Sequence, residues 1–202
     1  MLTGRPTKYG SGREIFGDYW DLKSLYITLH RLAGDEGAPG NILLMSLAYE
    51  VRKANANVRE TEFFEFDEEL LIYRGFKMFW TEFLVTVKLM RERSEIKAMV
   101  ITSEMQSDIY RLEPIVESSL KTFDSKIGAQ IYDWLMSCHF LKTEYIELFV
   151  ERITFLNLQS KDGKPRFKQL WHDLEMLLPK NYEHKQFKKH IMAESKRLNC
   201  EK

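Results

Sequence analysis

Apolar residues recur at every third or fourth position along most of this 202-residue chain, and short extended segments are read only at residues 13–17 and 61–73. Helical spacing gathers side chains on one face, whereas a period of two alternates them across a strand. Residues 1–12, with Gly4, Pro6, Gly10 and Gly12, have neither period and read as an irregular lead-in. Residues 13–17 read as a short strand. After it, Leu22, Leu25, Tyr26, Leu29, Leu32 and Ala33 form the stripe of an amphipathic helix, opened by Asp18 or Asp21 and stopped by Gly34. Residues 35–40 read as a turn. Asn41 reads as the cap of a second helix carrying Ile42, Met45, Leu47, Ala48 and Val51.

Residues 63–90 are the most apolar stretch, with 17 apolar side chains in 28 positions and eight of the 26 aromatics. Residues 61–66 and 70–73 read as a β-hairpin about the acidic turn 67–69, the one part of the stretch expected to meet solvent. Gly75 is expected to end the extended pattern. From there Phe76, Phe79, Trp80, Phe83, Val87 and Met90 share a helical face over 76–92, and Met78, Leu84, Val85 and Leu89 fill much of the rest. A helix apolar on nearly every side belongs inside a core. On this reading Phe79→Ala removes a core ring and costs about 3–5 kcal/mol.

The second half shows helical periodicity alone. Ser103, with Gln106 three residues on, reads as a capping box for a helix through Ile109 and Leu112; Pro114 either kinks it or starts another with Ile115, Val116 and Leu120. Ser125 is expected to cap 127–138 and Thr143 to cap 145–156. Pro165 suits the first turn of a helix with Phe167, Leu170, Trp171, Leu174 and Leu177, and Asn181 opens a basic terminal helix. The class expected is mainly α (α+β), a multi-helix domain with a small antiparallel sheet in the N-terminal half. We take 1–202 as a single domain, an α+β half over 1–98 and an all-helical half over 99–202.

Composition narrows the classes. Thirty basic and thirty acidic residues cancel, so no global field draws the chain to nucleic acid, which is not expected as a partner. Charge is uneven: positions 59–69 carry a net of −5 and 180–202 a net of +4. The N-terminus lacks the apolar run of a secretory signal, and Lys77, Glu82 and Lys88 break the aromatic stretch well short of the roughly 20 residues a membrane helix needs. A chain starting at Met1 and a cytoplasmic location follow as expectations. Cys138 and Cys200 lie too far apart, and too far from other ligands, to suggest a bridge.

The search for chemistry finds little. Gly10-Ser11-Gly12 precedes a strand and lacks the third glycine of a dinucleotide loop. His30, His139, His172, His184 and His190 include no pair at helical ligand spacing, and the Cys138–His139 neighbours point about 100° apart, so no metal and no cofactor is expected. Five acidic-x-Lys triplets barely exceed the roughly three that 30 acidic residues and 18 lysines give by chance. No catalytic residue is assigned. The candidate site is the polar and aromatic strand-to-helix junction Asp18, Tyr19 and Asp21, with His30 and Glu50 to be gathered by the fold; an ordinary capped helix start accounts for the same junction.

Gly17-Asp18-Tyr19, followed by Asp21-Leu22 and a Leu/Tyr helix, resembles the opening of a family of uncharacterised bacterial proteins, over about the first 90 residues. The resemblance implies a bacterial cytoplasmic origin and transfers no catalytic residue. The function expected is a noncatalytic intracellular interaction or binding protein. Its partner is another protein or a second copy, met through 76–92 or 102–122. The alternative is an enzyme or small-ligand binder working near the N-terminal junction.

Overall fold

The computed structural model describes residues 1–34, 37–66, 69–96, 100–137 and 146–175, with 189, 192, 193 and 196. A four-stranded antiparallel sheet in order β1-β2-β4-β3 is built from β1 (Thr3–Pro6), β2 (Gly12–Gly17), β3 (Glu60–Phe66) and β4 (Glu69–Phe79). Seven helices follow among the described residues: α1 (Tyr19–Ala33), α2 (Asn41–Asn55), α3 (Trp80–Ser94), α4 (Ser103–Phe123), α5 (Ser125–Met136), α6 (Ile146–Gln159) and α7 (Lys164–Glu175). The fold is mainly α (α+β), as the periodicity implies.

The irregular lead-in is corrected. Thr3–Pro6 forms an edge strand paired to Arg13–Phe16, and Thr7 closes the hairpin by accepting from the Gly12 N–H at 3.0 Å. Four residues with Gly4 and Pro6 carry no alternation to read, so the strand exists through its partner. Gly4 has no room for a side chain, because a Cβ would overlap the Arg13 guanidinium and the Glu14 carbonyl.

The hairpin is longer than the sequence suggests. Gly75 does not end it: β4 runs on to Phe79, Gly75 sits opposite Phe16, and the Phe16 ring lies where a Cβ on Gly75 would be. The helix expected at 76–92 therefore begins at Trp80. Phe76 and Met78 are buried while Lys77 and Phe79 face out, a strand alternation that F-K-M-F shares with the first turn of a helix. Beyond Gly75 the hairpin stands away from the body as an arm. Phe63, Phe64, Leu70, Leu71 and Ile72 are exposed on it, so solvent contact is not confined to the turn, of which residues 67 and 68 lie outside the described residues.

From Trp80 onward the expectation of a central helix holds: eleven residues of α3 are buried. Two of its cations neutralise helix ends. Lys88 donates to the carbonyls of Trp134 and Ser137 at the C-terminus of α5, and Arg93 to those of Leu32, Ala33 and Pro39 after α1, where exposed carbonyls favour positive charge. Buried apolar residues form one cluster from Leu2 to Leu174 around this helix.

Three caps fall one residue earlier than the pattern suggests. Gly40 at φ 81° precedes α2, and Asn41 is its first residue, donating to the Ala33 carbonyl at 3.1 Å. Thr102 accepts from the Met105 N–H, and Asp124 from those of Lys126 and Ile127. Pro114 lies inside an unbroken α4. Pro165 does sit in the first turn of α7. Residues 138–145, including Thr143, Cys138 and His139, lie outside the described residues, as do Leu177 and Asn181.

Candidate functional site

Asp18 is the N-cap of α1, accepting from the N–H groups of Trp20 and Asp21 at 2.8 Å. Burial opposes its ionisation, but those bonds and the nearby amino terminus hold it below the usual carboxylate range. Asp21 is buried and forms ion pairs with the Met1 amine at 2.6 Å and Arg111 at 3.3 Å. Burial lowers the pKa of that amine, yet its bonds to Asp21 and the Tyr73 hydroxyl outweigh this and raise it to about 10. Tyr19 packs edge-on against Trp20, with the Lys23 ammonium over both rings. These groups are already engaged with one another.

The remaining two candidates lie elsewhere. His30 is twelve residues along α1 from Asp18, about 18 Å by helical rise, and its ring meets Tyr26 at 4.4 Å. Glu50, on α2, holds Arg59 through two bonds of 2.8 and 2.9 Å. It lines a different feature, a cleft of about 400 Å³ between the β1–β2 turn, α2, the end of β4 and the start of α3. Thr7, Ser11 and Ser46 supply hydroxyls there, Phe79 an apolar wall, and Glu50, Lys77 and Glu82 the charges.

Register explains those charges. Arg5, Glu14 and Lys77 are directly opposite one another on β1, β2 and β4, on the sheet face away from Ile15 and Phe76. Arg5 bonds Glu14 and, passing over the Phe16 ring, Glu62; Lys77 bonds Glu14 at 3.2 Å and Glu60 at 3.0 Å. Bonds to Glu60, then Glu14, raise the Lys77 pKa. Glu82 stands apart: burial, reinforced by the Glu50 charge, pushes its carboxyl above the ordinary range, and no ion pair offsets it among the described residues. The sequence offers one signal for Glu82 and Lys77, as charges that interrupt the aromatic stretch.

Opposite the sheet's outer face, Arg13 is fully buried, with one bond to Ser119 and the rings of Phe83 and Trp80 at 4.9 and 5.8 Å. Its Nε and Nη1 have no hydrogen-bond partner among the described residues. Among the described residues, no three His, Cys, Asp or Glu converge as metal ligands, and no helix is long and apolar enough to cross a membrane.

The class so defined is an α+β protein with a helix-wrapped core, a projecting two-stranded arm and a small charged cleft. The chain matches a domain of unknown function, DUF6904, over residues 2–202, and belongs to that family. Comparisons with curated proteins and with solved structures give no match.

Proposed function

We propose that the protein is a noncatalytic interaction module whose working surface is the β3–β4 arm, and that the partner docked there is a second copy of the chain. One observation carries this: Phe63, Leu70 and Ile72 are 61%, 64% and 51% exposed on one face of the arm, and Phe64 and Leu71 are exposed on the other. Apolar side chains gathered on both faces of a narrow ribbon mark a surface used for contact. α3 and the apolar stripe of α4 are buried, which leaves the arm rather than 76–92 or 102–122 as the apolar surface.

β3 ends the sheet and pairs only with β4 among the described residues, so its outer N–H and C=O groups are free to extend the ladder. Antiparallel self-pairing about Phe63 sets Phe63 against its copy, Glu62 across from Phe64 and Glu65 across from Thr61. No carboxylate then faces another directly. Two such arms form an isologous, closed contact. The reading takes the chain as one domain of a bacterial cytoplasmic protein, supported by the single buried cluster that spans both halves and by the resemblance of its N-terminal motif.

Sedimentation velocity across the micromolar range tests it. A dimer is expected, and Phe63→Lys with Ile72→Lys reduces it to a folded monomer with an unchanged far-UV circular dichroism spectrum. A monomer throughout, or a dimer indifferent to both changes, refutes the reading.

A further inference from the structure

We infer that the cleft at the other end of β4 binds a small organic cation, a primary amine or guanidinium compound, with Glu82 as its counter-ion. Among the described residues, the cleft and its flanking sheet face hold three cations, Arg5, Arg59 and Lys77, against five carboxylates, Glu14, Glu50, Glu60, Glu62 and Glu82. Each of those cations is committed. Arg59 grips Glu50 with both ends of its fork, Lys77 spans Glu14 and Glu60, and Arg5 spans Glu14 and Glu62. Glu82 is left with a half-buried carboxylate on the cleft wall and no cation of its own among the described residues.

Burial and the Glu50 charge both make ionised Glu82 costly, and an entering cation removes that cost where a neutral or anionic ligand does not. The rest of the lining suits an organic cation better than a metal ion. Glu50 is already held bidentately, so the donors for a metal cage are lacking. The 39% exposed ring of Phe79 provides an apolar wall for an alkyl chain, and a ring face attracts an ammonium or guanidinium. The hydroxyls of Thr7, Ser11 and Ser46 accept the remaining N–H groups; Thr7 and Ser11 are already poised together at 3.2 Å. A volume of about 400 Å³ takes a ligand of a few to a dozen heavy atoms.

Titration with agmatine, which carries an amine at one end and a guanidinium at the other, tests the assignment. NMR should show saturable shifts at the Phe79 ring with a midpoint below about 1 mM, and none with the neutral four-carbon diol 1,4-butanediol. Glu82→Gln should weaken agmatine by at least about tenfold, the effect of losing one charge-assisted bond. Ser46→Trp, at an exposed helix position on the rim, should block the cleft while leaving the melting temperature unchanged. Absence of saturation, an equal response to butanediol, or unaltered binding in either variant overturns the site. Arm variants leave this cleft intact, so amine binding and self-association fail independently.

Discussion

Phe76 and Phe79 are three residues apart and would share a face if both were helical; the strand separates them. Phe76 is fully buried beside Ile15 and Met78, whereas Phe79 is 39% exposed at the cleft. Truncating Phe76 to alanine leaves an enclosed cavity and should cost about 3–5 kcal/mol. Phe79→Ala removes about three-fifths of a burial worth roughly 1.5–3 kcal/mol and leaves a space open to water, so about 1–2 kcal/mol is expected. In a chain of this size 1 kcal/mol moves the melting temperature by about 2–4 °C, which makes the two variants separable. Urea melts at pH 7, fitted with a common slope, measure both. Equal losses, or a larger loss at Phe79, would show that the helix starts at Phe76 and would remove Phe79 from the cleft wall.

Two further outcomes follow from buried charges. Desolvation pushes the Arg13 pKa down to about 9, a penalty on the order of 5 kcal/mol that the Phe83 and Trp80 rings return only in part. Arg13→Met should therefore stabilise by about 1–4 kcal/mol in denaturant melts, and a net loss would show that the guanidinium is satisfied in solution. Asp108 is raised above 3.8, chiefly by burial, against the opposing bonds from Thr28 and Ser24. The folded state thus holds this proton more tightly than the unfolded chain, and stability falls as pH rises from 3.8 through the raised value. Asp108→Asn should flatten that limb, gaining stability at pH 7 and none at about pH 3; an equal effect at both pH values contradicts it.

The helices were the legible part. Leu22, Leu25, Leu29 and Leu32 on α1, and Ile109, Leu112, Val116 and Leu120 on α4, are all buried as their spacing implies, because a helix satisfies its own backbone bonds and shows its buried face in local order. The caps of α1, α2, α4 and α5 were legible within a residue, for the same local reason. The sheet was less so. Thr3–Pro6 is a strand only because Arg13–Phe16 supplies its partners, and Phe76–Phe79 is extended because β2 pairs with it, in a stretch whose apolar positions also fit a helix.

The candidate residues divide along the same line. Asp18 and Asp21, three apart in sequence, do meet, but as cap and ion pair; His30 is carried away along α1, and Glu50 joins Glu82 and Lys77, which lie 32 and 27 positions further on. Helical periodicity, the helix starts and the mainly α class were determined by the chain itself, since each depends on residues within a turn or two of one another. The Arg5–Glu14–Lys77 ladder, the exposed arm and the uncompensated charge of Glu82 were decided by tertiary structure alone, because strand register and charge balance depend on partners that only long-range pairing brings together.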